Sequence, residues 1–554
     1  MTIAKEKQVE RNTIIMKCLS MMAAVAVMTV LLIPASNAAV VPPGVKLANV
    51  QELVRDNGVE PASLDPHKVE GTPGGHITRD LFEGLVNQDA DGNIVPGQAE
   101  SWLVSDDNKV FTFKIRDSAR WSDGSPVTAH DFVYGFQRAV DPSTGSRYSW
   151  YIEKTTVINA SAIIRGEKPA SALGVKALDN RTFQITLEQP VPYFIKMLAQ
   201  HTTFPTHRAT IEKYGDEWTR PGKMVSNGAY RLDEWVVNGK IVLKRNRQYW
   251  NDKETIINQV TFLPVASDSA KLHRYKTGEL DMTDTVPLEH YKNLMKTIPE
   301  QVKTSPELGT YYYSFNTTRP PLNDVRVRKA LSYAINRSAI TDYILGQGQK
   351  PAYAFTPESI NGFTPPETSF SKLTQQERNQ KAAQLIREAG YGPDKPLEVT
   401  IIYNTSEAHK KLAIAIAQMW KPLGVTVKLE NKEWKTFLDM KRNNRFEIAR
   451  GGWMGDYNEA STMLDLHTTG HGQNDARFSN EQYDELMKKS RRAETEKERN
   501  ALYSRAEQIL AEEMPVAPIY QYVNSRLVKP YVGGYPINNV EGTIYTKDLY
   551  IKEH

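Results

Sequence analysis

Two different hydrophobic periods run along the chain. Apolar and polar residues alternate over Phe111–Ile115 and again over Phe183–Leu187. A period of two predicts strands with one buried face. Residues 86–207 therefore read mainly as short strands, interrupted by a helix that starts after Thr128, a suitable N-cap.

From Thr374 onward the pattern becomes that of alternating helices and strands. A capping box at Thr374 starts a helix that runs to Gly390. Leu397–Tyr403 and Val425–Leu429 read as strands on either side of an apolar-faced helix, Glu407–Trp420. A β-α-β unit of this kind predicts two parallel strands and a right-handed crossover.

The remaining elements are predicted from caps and turns. Asn227–Tyr230 opens a hairpin, and Asn238 with Gly239 favours a type I′ turn at its tip. The other predicted elements are a helix over His76–Leu85, an aromatic strand over Thr310–Asn316, a helix from Val325, helices that start at Ser479 and Thr495, and a strand over Ile519–Val528.

The N-terminus has the layout of a secretory signal. A basic segment ending at Lys17 precedes the apolar run Cys18–Pro34, and small residues lead to a cleavage site after Ala38. Met16 is an alternative start. A membrane anchor is the competing interpretation, but it needs about 20 apolar residues, and this run is shorter and ends in a proline.

The composition is that of an ordinary globular protein. The chain has 554 residues, 40% hydrophobic and 24% charged, and this length predicts two or three domains. Cleavage removes Cys18, the only cysteine, so we expect a soluble, disulfide-free exported protein. The net charge falls from +4 to +2, because residues 1–38 carry four basic and two acidic side chains. Nothing in this balance predicts binding to nucleic acid or an anionic membrane.

The stretch Ala449–Glu459 is unusually rich in glycine and carries an acid and a base. Glycine in or beside a strand marks a place where another chain approaches the backbone. Asp456 could receive a cation and Arg450 an anion, which suggests a slot for an extended zwitterion such as a peptide. The alternative is a glycine-containing strand end with an exposed turn aspartate. Lys68–Gly75 offers a second loop with exposed backbone.

Motifs of catalysis and metal binding are missing from the sequence. It has no His-Glu-x-x-His, Gly-x-Ser-x-Gly, phosphate-binding loop or dinucleotide fingerprint. His467 and His471 are four residues apart, but the glycines beside His471 argue against a helix that would present both to zinc. We therefore predict no catalytic residue, no metal and no cofactor.

Several segments resemble the extracytoplasmic solute-binding proteins of peptide ABC importers. The resemblance covers nearly the whole mature chain and rests on Ala99–Trp102, Lys109–Arg116, Trp121–Tyr134, Asn227–Tyr230, Asn323–Arg328, Tyr403–Ser406, Glu433–Phe437 and Arg526–Pro530. Oligopeptide-binding members usually carry a disulfide whose two positions are Gly309 and Met454 here, so that bond is absent.

The resemblance implies an α/β fold with three lobes and hinge closure around the ligand. Lobe I would consist of residues 39–82, 208–308 and 524–554. An additional domain, residues 83–207, would be inserted into it, and lobe III would span residues 309–523. The ligand would be clamped between lobes I and III.

The resemblance also implies a set of ligand-binding residues. The backbone of a peptide would pair with Gly452, Trp453 and Met454 on one side and with Glu70, Gly71 and Thr72 on the other. Asp456 would bind the α-ammonium group. The cationic positions for carboxylates would be Arg450, Lys441 and His409, and the side-chain pockets would be lined by Tyr148, Trp434, Tyr522, Tyr312 and Arg526.

One departure from the family pattern bears on the ligand. Relatives have an arginine where this chain has Lys441, with Arg442 next to it. A lysine provides a point charge instead of a planar fork. Each residue also has a plain alternative: Trp434 and Tyr522 as core aromatics, His409 as a surface residue, and Arg450 as half of an internal ion pair.

These observations predict a periplasmic receptor that binds short peptides and delivers them to a membrane ABC permease. We expect a monomer that is neither an enzyme nor embedded in the membrane. Within this class, the alternative ligand is murein tripeptide. Outside it, the alternatives are a secreted hydrolase of peptides or murein and a chaperone-like binder of unfolded chains.

Overall fold

The computed structural model describes residues 39–392 and 395–554, so the predicted signal segment lies outside the described part of the chain. The strands are β1 (Glu52–Asp56), β2 (Val86–Gln88), β3 (Ile94–Pro96), β4 (Ala99–Val104), β5 (Val110–Ile115), β6 (Val175–Asp179), β7 (Thr182–Thr186), β8 (Tyr230–Val236), β9 (Lys240–Arg245), β10 (Gln259–Leu263), β11 (Val302–Phe315), β12 (Lys350–Pro351), β13 (Leu397–Asn404), β14 (Val425–Lys432), β15 (Ile448–Met454), β16 (Val516–Leu527), β17 (Val532–Gly533) and β18 (Tyr550–Ile551).

Helices pack around these strands. The α-helices of the described residues are Thr72–Leu81, Ala129–Val140, Ser149–Lys154, Ala160–Ile164, Phe194–Met197, Arg208–Tyr214, Asp268–Lys276, Tyr291–Thr297, Val325–Tyr333, Arg337–Ala339, Gln375–Glu388, Glu407–Trp420, Trp434–Arg442, Ser461–Leu464, Glu481–Arg492 and Glu496–Glu513, with a π-helical segment over Ile340–Leu345. None of them is both long enough and apolar enough to cross a membrane.

The strands form three main sheets. The large sheet has the order β12-β16-β11-β15-β13-β14, the small sheet β1-β10-β9-β8, and the meander sheet β4-β5-β7-β6. In the large sheet, β13 is parallel to β14 and to β15, as the predicted β-α-β unit requires, while β11 is antiparallel to β15 and β16. The structure is thus mixed α/β.

Two long strands connect the large sheet to the small one. The N-terminal part of β11 and the C-terminal part of β16 continue beyond the large sheet, where Val302 pairs with Leu527. The next residue, Val528, forms a bridge with Met282, which also bridges to Arg55 in β1. The predicted lobe boundaries at residues 82, 207, 308 and 523 stay a prediction.

Most predicted elements are present, with local differences. The helix predicted over His76–Leu85 begins at Thr72 instead, because Pro73 is tolerated in a first helical turn. The tip of the β8–β9 hairpin is a three-residue loop with Asn238 at φ +56°, so the predicted type I′ turn is wrong. The cap of helix Glu481–Arg492 is Asn480, one residue after the predicted position. Residues 86–207 also contain more helix than the alternation predicts.

Candidate functional site

Strand β15 keeps one edge open. It pairs with β11 along its whole length, from Phe315 opposite Ile448 to Gly309 opposite Met454. On its other side, β13 pairs only with Ile448 and Ala449. From Arg450 to Met454 that edge has no strand partner in the part of the chain that the structure describes. An open edge of this kind can accept the backbone of an extended peptide.

Arg450 lies at the beginning of the open edge among tyrosines. Its guanidinium donates a hydrogen bond of 2.6 Å to the Tyr522 hydroxyl and lies 4.9 Å from the centre of the Tyr311 ring. Burial lowers the pKa of Arg450, but the hydroxyls of Tyr522 and Tyr311 outweigh this effect and hold it above its ordinary value. Among the described residues no carboxylate forms an ion pair with Arg450, and its Nε has no partner.

Asp456 lies just beyond the other end of the open edge. Its backbone N–H donates to the Thr462 hydroxyl at 2.8 Å, which fixes the turn after β15. Burial raises the pKa of its carboxyl group to about 7, the Glu541 carboxylate raises it too, and Arg79 and Gln200 lower it. The described residues offer it no ion pair. A carboxylate and a guanidinium therefore stand at opposite ends of the open edge.

The opposite wall is the loop at the start of helix Thr72–Leu81. Gly71 has φ +78°, and a Cβ added there would lie 2.9 Å from the Trp434 ring, so glycine permits this close approach. Glu70 forms an ion pair with Arg442. Trp434 and Arg442 belong to a helix packed on β13 and β15 of the large sheet, and they close the space against Glu70–Thr72.

Lys441 and His409 differ in what they offer to a ligand. The Lys441 ammonium forms an ion pair of 2.7 Å with Asp475, and both side chains are largely buried, so its charge is balanced within the protein. His409 lies 5.6 Å from Tyr311, and its Nδ1 has no partner in the described chain. Burial and the nearby Arg450 hold the pKa of His409 well below its ordinary value. His409 therefore presents a neutral imidazole.

Aromatic side chains surround the Asp456 end. The Tyr148 ring is stacked on Trp453 at 6.5 Å and lies 5.1 Å from Trp150. Trp453 donates its indole N–H to the Thr462 carbonyl at 2.9 Å. Burial raises the pKa of Tyr148 well above its ordinary value, and the Asp456 carboxylate raises it further.

Tyr312 and Trp434, both predicted to line side-chain pockets, pack against other aromatic rings. Tyr312 is buried against Phe355, with ring centres 4.9 Å apart, and a Cβ at Gly451 would clash with its ring. It therefore acts as packing behind the open edge. Trp434 stacks on Phe437 at 6.1 Å, yet its indole N–H is buried without a partner among the described residues.

Sequence reasoning missed three charged residues at this site. Arg79, Glu541 and Glu307 each lie close enough to predicted site residues to affect a pKa there: Arg79 and Glu541 that of Asp456, and Glu307 that of Tyr522. For Arg79, the only local sign of a site in the sequence was the pair of glycines at 74 and 75. Glu307 and Glu541 carry no motif, since their roles depend on contacts between distant segments.

Comparison with known proteins places the chain in a family. The model for bacterial extracellular solute-binding proteins, family 5 Middle, matches residues 93–475. The chain belongs to this family. It is 50% identical over 520 residues to the periplasmic murein peptide-binding protein MppA of Escherichia coli K12, with 94% of this chain and 96% of MppA covered. It is 48% identical over 522 residues to the periplasmic oligopeptide-binding protein OppA of Salmonella typhimurium LT2, with 94% and 96% covered.

Solved structures confirm the predicted fold class. The E. coli murein tripeptide binding protein MppA gives a TM-score of 0.90 at 50% identity, covering 92% of this chain and 100% of the other. Haemophilus influenzae OppA in complex with RPPGFSPFR gives 0.89 at 43% identity, with the same coverage. These are solute-binding proteins, so family membership confirms the prediction that the chain is not an enzyme.

The overall arrangement of the described chain differs from that of an open relative. The unliganded open form of MppA, 50% identical and covering 93% of this chain and 99% of the other, gives a TM-score of only 0.68. The same relative thus matches well in one arrangement and poorly in the other. The described arrangement is therefore nearer to those of the first MppA structure and of the H. influenzae OppA complex with RPPGFSPFR than to the open form of MppA.

Proposed function

We propose that this protein is a periplasmic receptor that captures short peptides in the closed cleft and delivers them to an ABC permease of the inner membrane. It would act as a monomer without a cofactor. The MppA and OppA relatives are named for binding murein peptide and oligopeptides, and this chain is about equally identical to both.

One observation carries the proposal: from Arg450 to Met454 the edge of β15 away from β11 has no strand partner among the described residues. The loop Glu70–Thr72 closes the space on the other side through its contacts with Trp434 and Arg442. Backbone hydrogen bonds from Gly452, Trp453 and Met454 to an added strand would depend little on the peptide sequence. The ends of the strand carry opposite charges. Asp456 would pair with the α-ammonium group and Arg450 with a carboxylate of the ligand.

The test is recovery of the natural ligand. Mature protein would be purified from the periplasm and measured by native mass spectrometry, and the released material would then be sequenced. A set of unrelated peptides indicates a general oligopeptide receptor, whereas one species containing diaminopimelate indicates murein tripeptide. Absence of any ligand, together with no thermal shift on adding peptides, would refute the proposal.

Blocked peptides distinguish strand capture with charged ends from general binding of unfolded chains. We expect a tripeptide with free termini to bind and its acetylated, amidated form to bind at least about a hundredfold more weakly, since each buried charge would lose its partner. A chaperone-like binder would not distinguish the two forms.

A further inference from the structure

Gly309 and Met454 lie directly opposite each other on β11 and β15. Beside them, the backbone N–H of Gly455 donates to the Leu308 carbonyl at 2.8 Å. The facing pair itself therefore shares no backbone hydrogen bond, and in pairs of this kind the two side chains come closest together. Because glycine has no side chain, the methionine has this space to itself.

The Met454 side chain reaches across to β11 and lies on Gly309. A Cβ built on Gly309 would lie 2.4 Å from the Met454 sulfur, 2.9 Å from the Trp453 carbonyl oxygen and 3.3 Å from the Tyr522 ring. The sulfur thus fills the place that any other residue at position 309 would need for its own side chain. The neighbouring tyrosine ring suits it, because a thioether beside an aromatic ring is a favourable contact.

The same sulfur belongs to the face of β15 that the candidate site uses. Residues two apart on a strand point to the same face, so Met454 shares its face with Gly452 and Arg450. Tyr522 covers this face, because its hydroxyl lies 2.5 Å from a Cβ built on Gly452 while its ring reaches Gly309. Met454 is half-buried and is the last residue of the open edge. A change in the chemistry of its sulfur therefore acts directly on that edge.

We infer that Met454 is an oxidation site that makes peptide capture sensitive to two-electron oxidants such as hydrogen peroxide. The sulfur lone pair attacks one peroxide oxygen, the O–O bond breaks and an S–O bond forms. The sulfur is oxidised by two electrons, and the peroxide is reduced to water that keeps both protons. The product is methionine sulfoxide, which methionine sulfoxide reductases convert back to the thioether. The only cysteine, Cys18, precedes the predicted cleavage site, so the mature chain has no thiol that would consume the oxidant first.

The sulfoxide fits this position poorly. The thioether is nearly apolar, whereas the sulfoxide carries a polar oxygen that needs a hydrogen-bond donor when it is buried. The groups around the sulfur on Gly309 are the Trp453 carbonyl oxygen, which cannot donate, and the carbon edge of the Tyr522 ring. The oxidised side chain must therefore leave this space and turn toward the open edge, where the peptide backbone would pair.

This inference rests on the proposed peptide-binding function, and oxidation rates separate the two. Ligand-free protein would be treated with hydrogen peroxide, and mass spectrometry of its proteolytic fragments would follow the gain of one oxygen at each methionine. We expect Met454 to react more slowly than Met295, which is 41% exposed, but about tenfold or more faster than the fully buried Met463 and Met487. A saturating tripeptide with free termini should slow the reaction of Met454 about fivefold and leave Met295 unchanged, because the added strand covers the edge.

Calorimetry measures the consequence for binding. The oxidised wild type should bind the tripeptide about tenfold more weakly than untreated protein, and treatment with the two reductases, one for each sulfoxide epimer, should restore the affinity. Met454→Leu keeps an apolar side chain of similar volume, so peroxide should change its affinity less than about twofold. Met295→Leu is the matched control and should lose affinity on oxidation as the wild type does. Met454→Gln imitates the polar sulfoxide and should bind weakly without any oxidant.

Three results would overturn the inference. If Met454 resists peroxide as fully as Met463, its sulfur is out of reach. If affinity stays unchanged after complete oxidation of Met454, the edge tolerates the sulfoxide. If oxidised Met454→Leu loses as much affinity as the wild type, the sensitive residue lies elsewhere; should this variant not fold, failure of the reductases to restore binding has the same force. If no peptide binds to untreated protein, the proposed function fails, whereas the order of oxidation rates in the ligand-free protein still tests Met454 itself.

Discussion

Asp456 lies in a favourable position to bind a cation, but its ionised carboxylate lowers the stability of the ligand-free protein. The residue is half-buried, and its pKa is raised to about 7 because burial disfavours the charged form and the Glu541 carboxylate repels it. An ammonium group of a ligand would stabilise that charge. The same residue should therefore strengthen binding and weaken the ligand-free fold at neutral pH.

We predict that Asp456→Asn lowers peptide affinity by about a hundredfold or more, because a buried ligand ammonium would lose its charged partner. The same change should raise the Tm of the ligand-free protein at pH 8, where the wild type must keep a buried carboxylate ionised. Calorimetry and thermal unfolding measure the two effects. A tenfold or smaller loss of affinity would mean that another group binds the ammonium.

Peptide affinity should also depend on pH. Asp456 must be ionised to pair with an ammonium, and with a pKa near 7 the ionised fraction falls about fifteenfold between pH 7 and pH 5.5. We therefore expect affinity to fall by about tenfold over this range. The titrating or charged groups around Asp456 include Glu541, Arg79, Tyr148 and Tyr151.

The control for this pH dependence is Asp456→Asn, in which most of the change between pH 7 and pH 5.5 should disappear. Glu541 and Glu307 also have pKa values raised to about 7, so a smaller dependence can remain. The stability of the ligand-free fold should depend on pH in the opposite direction. A carboxyl group with a raised pKa contributes stability below its unfolded pKa, and this contribution is lost as the pH rises toward 7. A dependence unchanged in the variant would remove Asp456 as its origin.

At the scale of the element, β15 depends on its glycines for two different reasons. A Cβ on Gly451 would lie 2.3 Å from the Tyr312 ring, on the packed face of the strand. A Cβ on Gly452 would lie 2.5 Å from the Tyr522 hydroxyl and 2.8 Å from the Arg450 guanidinium, on the face of the site. The first glycine serves packing, while the second leaves room for the Arg450–Tyr522 hydrogen bond.

We predict that Gly452→Ala lowers peptide affinity by about tenfold or more, because the added methyl displaces Arg450 or Tyr522. Stability should fall by only about 1–3 kcal/mol, as for other overpacked positions. Calorimetry and urea unfolding measure both. Gly392→Ala is the matched control, since a Cβ there meets nothing within 4 Å, and it should change neither quantity. Normal binding by Gly452→Ala would contradict the role of this face.

At the scale of the whole molecule, ion pairs join segments that are far apart in the sequence. Arg442 reaches from the helix on the large sheet to Glu70, and Lys411 forms an ion pair with Glu289. The second pair is exposed and should contribute little. The first lies beside the Gly71–Trp434 contact, where the side chains are mostly buried. It should therefore matter more for keeping the cleft closed.

We predict that Arg442→Gln speeds peptide dissociation by roughly tenfold, with a smaller effect on association, because the closed form loses a largely buried ion pair. Stopped-flow kinetics measures both rates. The matched control is Arg445→Gln, which removes an exposed ion pair with Asp439 near the end of the same helix. If both variants release peptide equally fast, the Arg442–Glu70 pair does not hold the closed state.

The sequence by itself determined the local elements and the family. Caps such as Thr374 and Ser406 and the period of apolar residues act within a few positions, so they predicted the helices Gln375–Glu388 and Glu407–Trp420 and the parallel pairing of β13 with β14. Motifs spread over the chain indicated the solute-binding family, and the glycine-rich stretch around Asp456 predicted a candidate site, which stays a prediction.

Only the tertiary structure decided which charges are balanced and which are free. Lys441 is neutralised by Asp475 and Arg442 by Glu70, although these partners are 34 and 372 positions apart. No local pattern specifies such pairs, because they depend on which distant segments the fold brings together. Electrostatic energy depends on distance and burial in space. The charges that remain for a ligand therefore depend on the fold.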